Sequence, residues 1–159
     1  MEIQKWYYKG VEINEEQINE FQKKYYGFTY CISVINSKKI PTEIHNKFYI
    51  GKKAFTHKSK KVLSKKAKQL PENKGKRVIR GTKDSGWQNY FGSSKELLEQ
   101  VKLHGEHNFK REILEFAVSK SDLTLKEIEA QVKYNVLRVD SYNLWIGGRV
   151  YKRFLNGKT

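Results

Sequence analysis

Apolar positions recur along the chain with two periods, and the switch from one to the other marks the elements. Ile18, Phe21 and Tyr25 fall at helical spacing behind Asn14, a candidate N-cap, with Gln17 at the third position of a capping box. Gly27 reads as the stop of that helix. Phe28 to Ile35 is a β-rich run, Asn36 to Pro41 has turn character, and Lys47 to Lys53, centred on Phe48-Tyr49-Ile50-Gly51, is a second, aromatic strand. The two predict an antiparallel hairpin with a long loop. Further on, Ser93 or Ser94 can cap a short helix through Leu97, Leu98 and Val101, ended by Gly105, and Phe109 to Val118 reads as a third strand. Ser121 then caps a longer helix, Asp122 to Leu137, with one apolar stripe of Leu125, Ile128, Val132 and Val136. A second stripe of Leu123, Ala130, Tyr134 and Leu137 predicts that this helix is substantially buried.

These elements sum to a small α/β domain spanning 1–159, in which a mostly antiparallel three-stranded sheet is flanked by helices and residues 1–26 form a helical extension. A length of 159 residues suits one domain, and 38% hydrophobic against 31% charged residues is the composition of a chain that folds. The uncharged stretch Gly27 to Asn36 is far short of the ~20 residues of a membrane-spanning helix, and Met1 to Gly10 lacks the apolar region of a signal peptide. A soluble chain with no membrane partner is expected. Its single cysteine, Cys31, can form neither an internal disulfide nor a cysteine-rich zinc site, which suits a reducing, cytoplasmic compartment.

Charge changes the picture more than composition does. The net charge is +15, and residues 52–83 carry 13 Lys or Arg against one acid, Glu72. That segment has few large apolar residues and includes Pro71 and Gly75, so it reads as a mobile basic insertion with one short helix. A one-sided charge of this size is the footprint of a polyanion binder, and nucleic acid is the leading partner. Lys52, Lys60, Lys61, Arg77 and Arg80 in the segment, with Arg111 beyond it, are the candidate backbone contacts, and Trp87 could stack on bases.

The candidate chemistry centres on the hairpin. Gly27-Phe28-Thr29-Tyr30 and Tyr49-Ile50-Gly51 place two tyrosines on neighbouring strands, an arrangement that ordinary packing also produces. In order along the chain follow Trp87-Gln88-Asn89-Tyr90-Phe91-Gly92-Ser93-Ser94, Asn108-Phe109-Lys110-Arg111-Glu112-Ile113-Leu114, Glu127 with Gln131, and Tyr142-Asn143. This succession resembles the GIY-YIG nucleases, in which a glycine-led strand ending in tyrosine pairs with a strand reading Tyr-Ile-Gly, and it is similar in particular to phage-encoded and mobile, homing-like members.

The resemblance implies a DNA endonuclease that hydrolyses a phosphodiester with one divalent cation, Mg²⁺ or Mn²⁺, on double-stranded DNA. It implies Glu127 as the metal ligand, Tyr30 as general base and Tyr49 as the group positioning water or phosphate. One carboxylate with waters and a substrate phosphate is the usual way to hold Mg²⁺, and a tyrosine beside a positive centre can act as base. Lys53 would supply a point charge to the phosphate, and Asn143 a hydrogen bond around the metal. Tyr30 and Tyr49 lie 19 residues apart, a longer connection than the usual family hairpin. The family arginine that follows Tyr-Ile-Gly has no counterpart where it is expected, and Lys53, Arg77, Arg80 and Arg111 compete for its role. Glu127 and Glu129 lie roughly 200° apart around one helix, so a single site can use only one, and the resemblance to phage-type members, in which the glutamate is followed four residues on by glutamine, implies Glu127.

The rival readings are a non-catalytic basic DNA- or RNA-binding protein and a structural component of a nucleoprotein particle. His104 and His107 flank Gly105 without a further ligand to complete a zinc set. Trp145-Ile146-Gly147-Gly148-Arg149 could let backbone approach a phosphate or simply turn, and Asn156-Gly157 is a turn signal.

Overall fold

Strand alternation sets the layers. In β3 (Gly27–Val34) the side chains of Phe28, Tyr30, Ile32 and Val34 share one face, and all four are buried. The structure, a computed structural model, describes residues 5–147 and the backbone of residues 150 and 151. Before β3 come β1 (Trp6–Tyr8), β2 (Val11–Glu12) and α1 (Glu15–Lys24). After it come β4 (Phe48–Ala54), β5 (Thr56–Val62), α2 (Lys65–Lys68), β6 (Val78–Asp84), α3 (Lys95–His104), β7 (Phe109–Ala117), α4 (Lys120–Lys133) and the short pair β8 (Trp145–Ile146) and β9 (Val150–Tyr151).

The main sheet has five strands in the order β2-β1-β7-β3-β4, not three. The three expected strands are there, with β3 antiparallel to both β4 and β7, and Tyr30 lies opposite Gly51 on one side and Ile113 on the other. The additional strands come from the segment expected to be a helical extension, of which only α1 is helical. β1 runs parallel to β7 and turns back into β2 through Lys9 and Gly10, both at positive φ (51° and 78°). Two positive-φ residues make the tight hairpin turn whose twist matches the flanking strands. Lysine is an uncommon occupant of that position, which is why the turn is hard to read. Trp6 then packs edge-on against Phe28 and Tyr30, with ring centroids 5.1 and 5.5 Å away.

Helices cover both faces. Ile18 and Phe21 of α1 and Leu97 and Val101 of α3 close over Phe28, Tyr30, Ile32, Phe55, Trp87 and Phe91. Ala130 of α4 closes the other side with Ile50, Val136 and Leu137. The caps follow local chemistry. Asn14 and Gln17 form the expected reciprocal box, and the hydroxyl of Ser94 accepts from the amide of Leu97. Gly105 follows α3 at φ 88°. Gly27 is not a helix stop: α1 ends at Lys24, and Gly27 opens β3 where a side chain would run into the carbonyl of Lys53.

α4 is capped by Ser119 rather than Ser121, its hydroxyl accepting from the amide of Asp122, and it ends at Lys133 rather than Leu137. Two buried faces are not observed. Leu125 and Val132 are exposed, while Leu123 and Gln131 are buried, because the helix lies on the sheet through a single face. Among the described residues no helix is long and apolar enough to cross a membrane.

The basic segment 52–83 is ordered rather than a mobile loop. Residues 52–54 belong to β4, and β5 and β6 pair over seven residues each into an antiparallel ribbon. The connection at its tip holds α2 and a turn at Pro71–Asn73, closed around buried Leu63 and Asn73. The amide of Leu63 donates to the carbonyl of Arg77, and the Asn73 side chain donates to the carbonyl of Ala67. Of the glycine turns noted at the C-terminus, Gly148, Asn156 and Gly157 lie outside the described residues, as does Arg149.

Candidate active site on the β4 strand

Glycine at position 51 is what the site is built around. A methyl group there would overlap the hydroxyl of Tyr30 and the ring of Tyr49, so both phenols lie across bare backbone. On the other flank a side chain on Gly92, which sits at φ 85°, would press on the Tyr49 ring at 3.0 Å. The Tyr49 hydroxyl meets the Ser93 hydroxyl at 2.9 Å, and the Tyr30 and Tyr49 rings are 6.2 Å apart. Tyr90 stands perpendicular to Tyr30 with centroids at 6.1 Å, and the Lys53 ammonium lies 3.9 Å over the Tyr90 ring. Tyr49, Gly51 and Lys53 alternate onto this side of β4.

Ile50 and Lys52 alternate onto the other side, where α4 packs. Leu123, Glu127 and Gln131 are one turn apart on that helix and form the face against the sheet, while Glu129 points to solvent. Of the two glutamates, Glu127 is the one that faces the sheet. Its carboxylate is only 16% exposed and takes the Lys52 ammonium at 2.9 Å, and the same ammonium reaches the Thr124 hydroxyl at 3.1 Å. Lys52 is thus engaged inside the site rather than displayed to a partner.

The electrostatics reflect this crowding. Burial first, then the neighbouring Tyr49, Tyr90 and Glu127, push the Tyr30 phenol well above its usual value. Burial chiefly, with the charge of Glu127 adding, also raises Tyr49. Both phenols therefore carry their protons near neutral pH. Burial lowers the Lys53 ammonium, with Asp84 opposing.

Asn143 is bound to the backbone of β4. Its side-chain oxygen accepts from the amide of Ile50 at 2.9 Å, and its nitrogen donates to the carbonyl of Ile50 at 2.7 Å. Gln131 donates to the same carbonyl at 3.3 Å. β4 is an edge strand, and Asn143 stands in for the missing neighbour, fixing the residue before Gly51. Two expected DNA contacts are buried. Trp87 is a core side chain against Phe28 and Phe55. Arg111 is 0% exposed, flanked by Trp6 and Phe91, and donates to the carbonyls of Gln88 and Tyr90, so it shapes the loop that carries Tyr90. Burial brings its guanidinium down to about 10. Lys60, Lys61, Arg77 and Arg80 are exposed on the ribbon and its tip. Of the four cations that compete for the family arginine's role, Lys53 lies over the ring of Tyr90 and Arg111 holds its backbone.

One known family pattern is matched over nearly the whole chain. Residues 6–146 fit the family described as "Putative endonuclease segE, GIY-YIG domain". The chain belongs to the GIY-YIG family. A curated relative, "Putative endonuclease segD" of Enterobacteria phage T4, is 38% identical over 60 residues, which is 38% of this chain and 27% of that protein. No solved structure matches. Tyr30 and Tyr49 lie 6.2 Å apart, and Glu127 is near enough to influence both electrostatically. The pairing of Lys52 with Glu127 and the packing of Gly92 on Tyr49 were not read from the sequence. The (i, i+4) spacing of Glu127 and Gln131 was the signal for the helix phase; nothing local announces that Lys52 rather than Lys53 faces α4 until the strand's parity is known.

Proposed function

We propose that this chain is a metal-dependent endonuclease that hydrolyses phosphodiester bonds of double-stranded DNA. The observation that carries the reading is that Glu127, tied to Lys52 on the α4 side of β4, lies near enough to add to the upward shift of both phenols that lie against Gly51 on the opposite side. A packing role explains paired tyrosines but gives no reason to bring a carboxylate to them.

The donor set suits a hard divalent cation. Among the described residues no group of three His, Cys, Asp or Glu gathers, so this is not a closed protein cage of the zinc type. It is a single carboxylate that already attracts a cation, the Lys52 ammonium, and Mg²⁺ or Mn²⁺ is commonly held by one carboxylate with substrate phosphate and water. When bound, the ion supplies Lewis-acid stabilisation of the charge that develops on the phosphate. The chain's own groups do the rest. Tyr30, protonated and buried, requires added positive charge before it can accept a proton, so its role as base is conditional on the cation at Glu127. Tyr49, oriented by Ser93, positions water or a phosphate oxygen. Lys53, held on the ring of Tyr90, faces the phosphate as a cation. Asn143 and Gln131 fix β4, the strand that carries Tyr49 and Lys53.

A plasmid nicking assay with Mg²⁺ or EDTA tests this, with Glu127→Gln beside Glu129→Gln. Mg²⁺-dependent cutting is expected, reduced by on the order of 10²–10³-fold or more in Glu127→Gln, the scale of losing one stabilising charge contact in a transition state. Glu129→Gln should cut normally. Salt-sensitive DNA binding with no cutting under any divalent cation would overturn the reading in favour of a non-catalytic binder.

A further inference from the structure

We infer that the β5–β6 ribbon enters the major groove of B-form DNA and reads base edges with the face that carries Lys58, Lys60, Arg80 and Thr82. The inference rests on the DNA part of the proposed function and does not need cleavage.

The first observation is a pairing that costs the fold stability. Lys60 stands directly opposite Arg80 in the ribbon, with Lys58 and Thr82 as the next pair on the same face. Like charges directly across an antiparallel pair repel. No carboxylate bonds to any of these cations among the described residues, and between Thr56 and Lys83 the one acid is Glu72 at the tip. Repulsion retained without a counter-charge fits a surface whose counter-charge arrives with a ligand, and eleven cations against one acid over residues 56–83 fit a polyanion.

The second observation is shape. An isolated two-stranded hairpin is marginal in water, yet this one is pinned at both ends. At the root, buried Phe55 packs on Phe28 and Trp87, and its carbonyl accepts from the amide of Ser85 at 3.0 Å. At the tip, Leu63 and Asn73 are buried inside the turn around α2. Between these ends nearly every side chain on both faces is exposed. The result is a blade about 20 Å long whose faces are largely exposed among the described residues. The B-form major groove admits a two-stranded ribbon, whereas the A-form major groove of RNA is too narrow and deep. Arginine and lysine are the side chains that pair with guanine N7 and O6, and threonine can bond to either base type, so the Lys60, Arg80 and Thr82 face has the donors for base readout.

The third observation is placement. β5 follows β4 directly, and Lys60 is nine residues beyond Gly51, so the reading face lies at most ~30 Å from the tyrosines. That is under one helical turn of DNA, ~34 Å. The base pairs read should therefore lie within one turn of the cut.

The test is binding of the full chain to a short DNA duplex in EDTA, with dimethyl sulfate protection of guanine N7 as the major-groove readout. Lys60→Glu is the informative variant, because the new carboxylate faces Arg80 and replaces repulsion with attraction. Expected are DNA binding at least ~10-fold weaker, a shallower dependence on salt by about 1–2 logarithmic slope units, loss of N7 protection, and a thermal midpoint equal to or above that of the parent. Should that variant unfold, Lys60→Ala with Arg80→Ala must remove the same protection. Unchanged N7 protection in a folded variant, or equal affinity for an RNA duplex of the same sequence, would overturn the inference. Because the assay contains no divalent ion, a chain that protects N7 but never cuts defeats the nuclease and leaves the ribbon standing, and one that cuts without protecting N7 does the reverse.

Discussion

β4 and β5 are consecutive strands of the same length, both rich in lysine, and they make opposite use of it. In β4, Lys52 is tied to Glu127 and Thr124, and Lys53 lies on the ring of Tyr90. In β5, Lys58, Lys60 and Lys61 have no ionic partner among the described residues. The strands differ in what flanks them. β4 lies between β3 and the Asn143 clamp and under α4, so each of its side chains meets a fixed neighbour. β5 has only β6. A lysine surrounded by structure becomes part of a site, and one without it becomes a field for a partner to meet. The same contrast extends to arginine: Arg111 is fully buried and holds a loop, whereas Arg80 is exposed and faces a second cation.

The sharpest break of that comparison is Gly51→Ala. The added methyl has nowhere to go, since the Tyr30 hydroxyl and Tyr49 ring cover the position. Overpacking of this kind costs typically ~1–3 kcal/mol, and it displaces both phenols at once. We expect the urea midpoint to fall by that amount and divalent-dependent nicking to disappear. A Gly51→Ala protein with parental stability and activity would show that β4 is no more constrained than the ribbon.

Asn143→Ala comes next. It strips the amide of Ile50 of its partner, while Gln131 still reaches the carbonyl. A buried backbone group left unmade costs about 1–3 kcal/mol, here at the residue before Gly51. Chemical denaturation should show the loss, and nicking by the folded fraction should fall with it. A loss of activity at full stability would instead assign Asn143 to the chemistry.

How much of this was legible follows the same division. The tyrosine hairpin and the caps of α1 and α3 were readable because each is a local signal, alternation in the one and capping residues in the others. The five-stranded sheet was not, because β1 and β2 are three and two residues long and their turn uses Lys9 where Asn would advertise it. The roles of Trp87, Arg111 and Asn143 depend on which element lands beside them, with partners 81, 23 and 93 residues distant, and no periodicity encodes that. The ribbon was misjudged as mobile because its composition is polar; its order comes from a few buried residues at its two ends.

A pH series separates the core from the ribbon by titration. The folded state holds the proton of Tyr30 well above the ordinary value, while the unfolded chain releases it near pH ~10. The folded state is therefore favoured below that pH, and this contribution is lost as pH rises through it towards the higher folded value. Stability should fall above pH ~10 with a slope of up to about 1.4 kcal/mol per pH unit from this group. Tyr30→Phe should flatten the curve by that share, as read from denaturation midpoints between pH 9 and 11. Parallel curves for parent and variant would mean that Tyr30 is solvated.

The smallest expected effect is on the other strand pair and uses the same substitution as the largest. Gly81 lies opposite Ser59 in the ribbon, and a methyl there would meet the Ser59 hydroxyl at 3.3 Å, a contact that a rotation of one serine relieves. No positive φ holds the position to glycine. Alanine also reduces the freedom of the unfolded chain, which offsets what little strain remains. Gly81→Ala should shift stability by no more than ~0.5 kcal/mol in either direction. If it destabilises as much as Gly51→Ala, the ribbon is a packed layer rather than an exposed blade, and both its faces must be covered by something other than solvent.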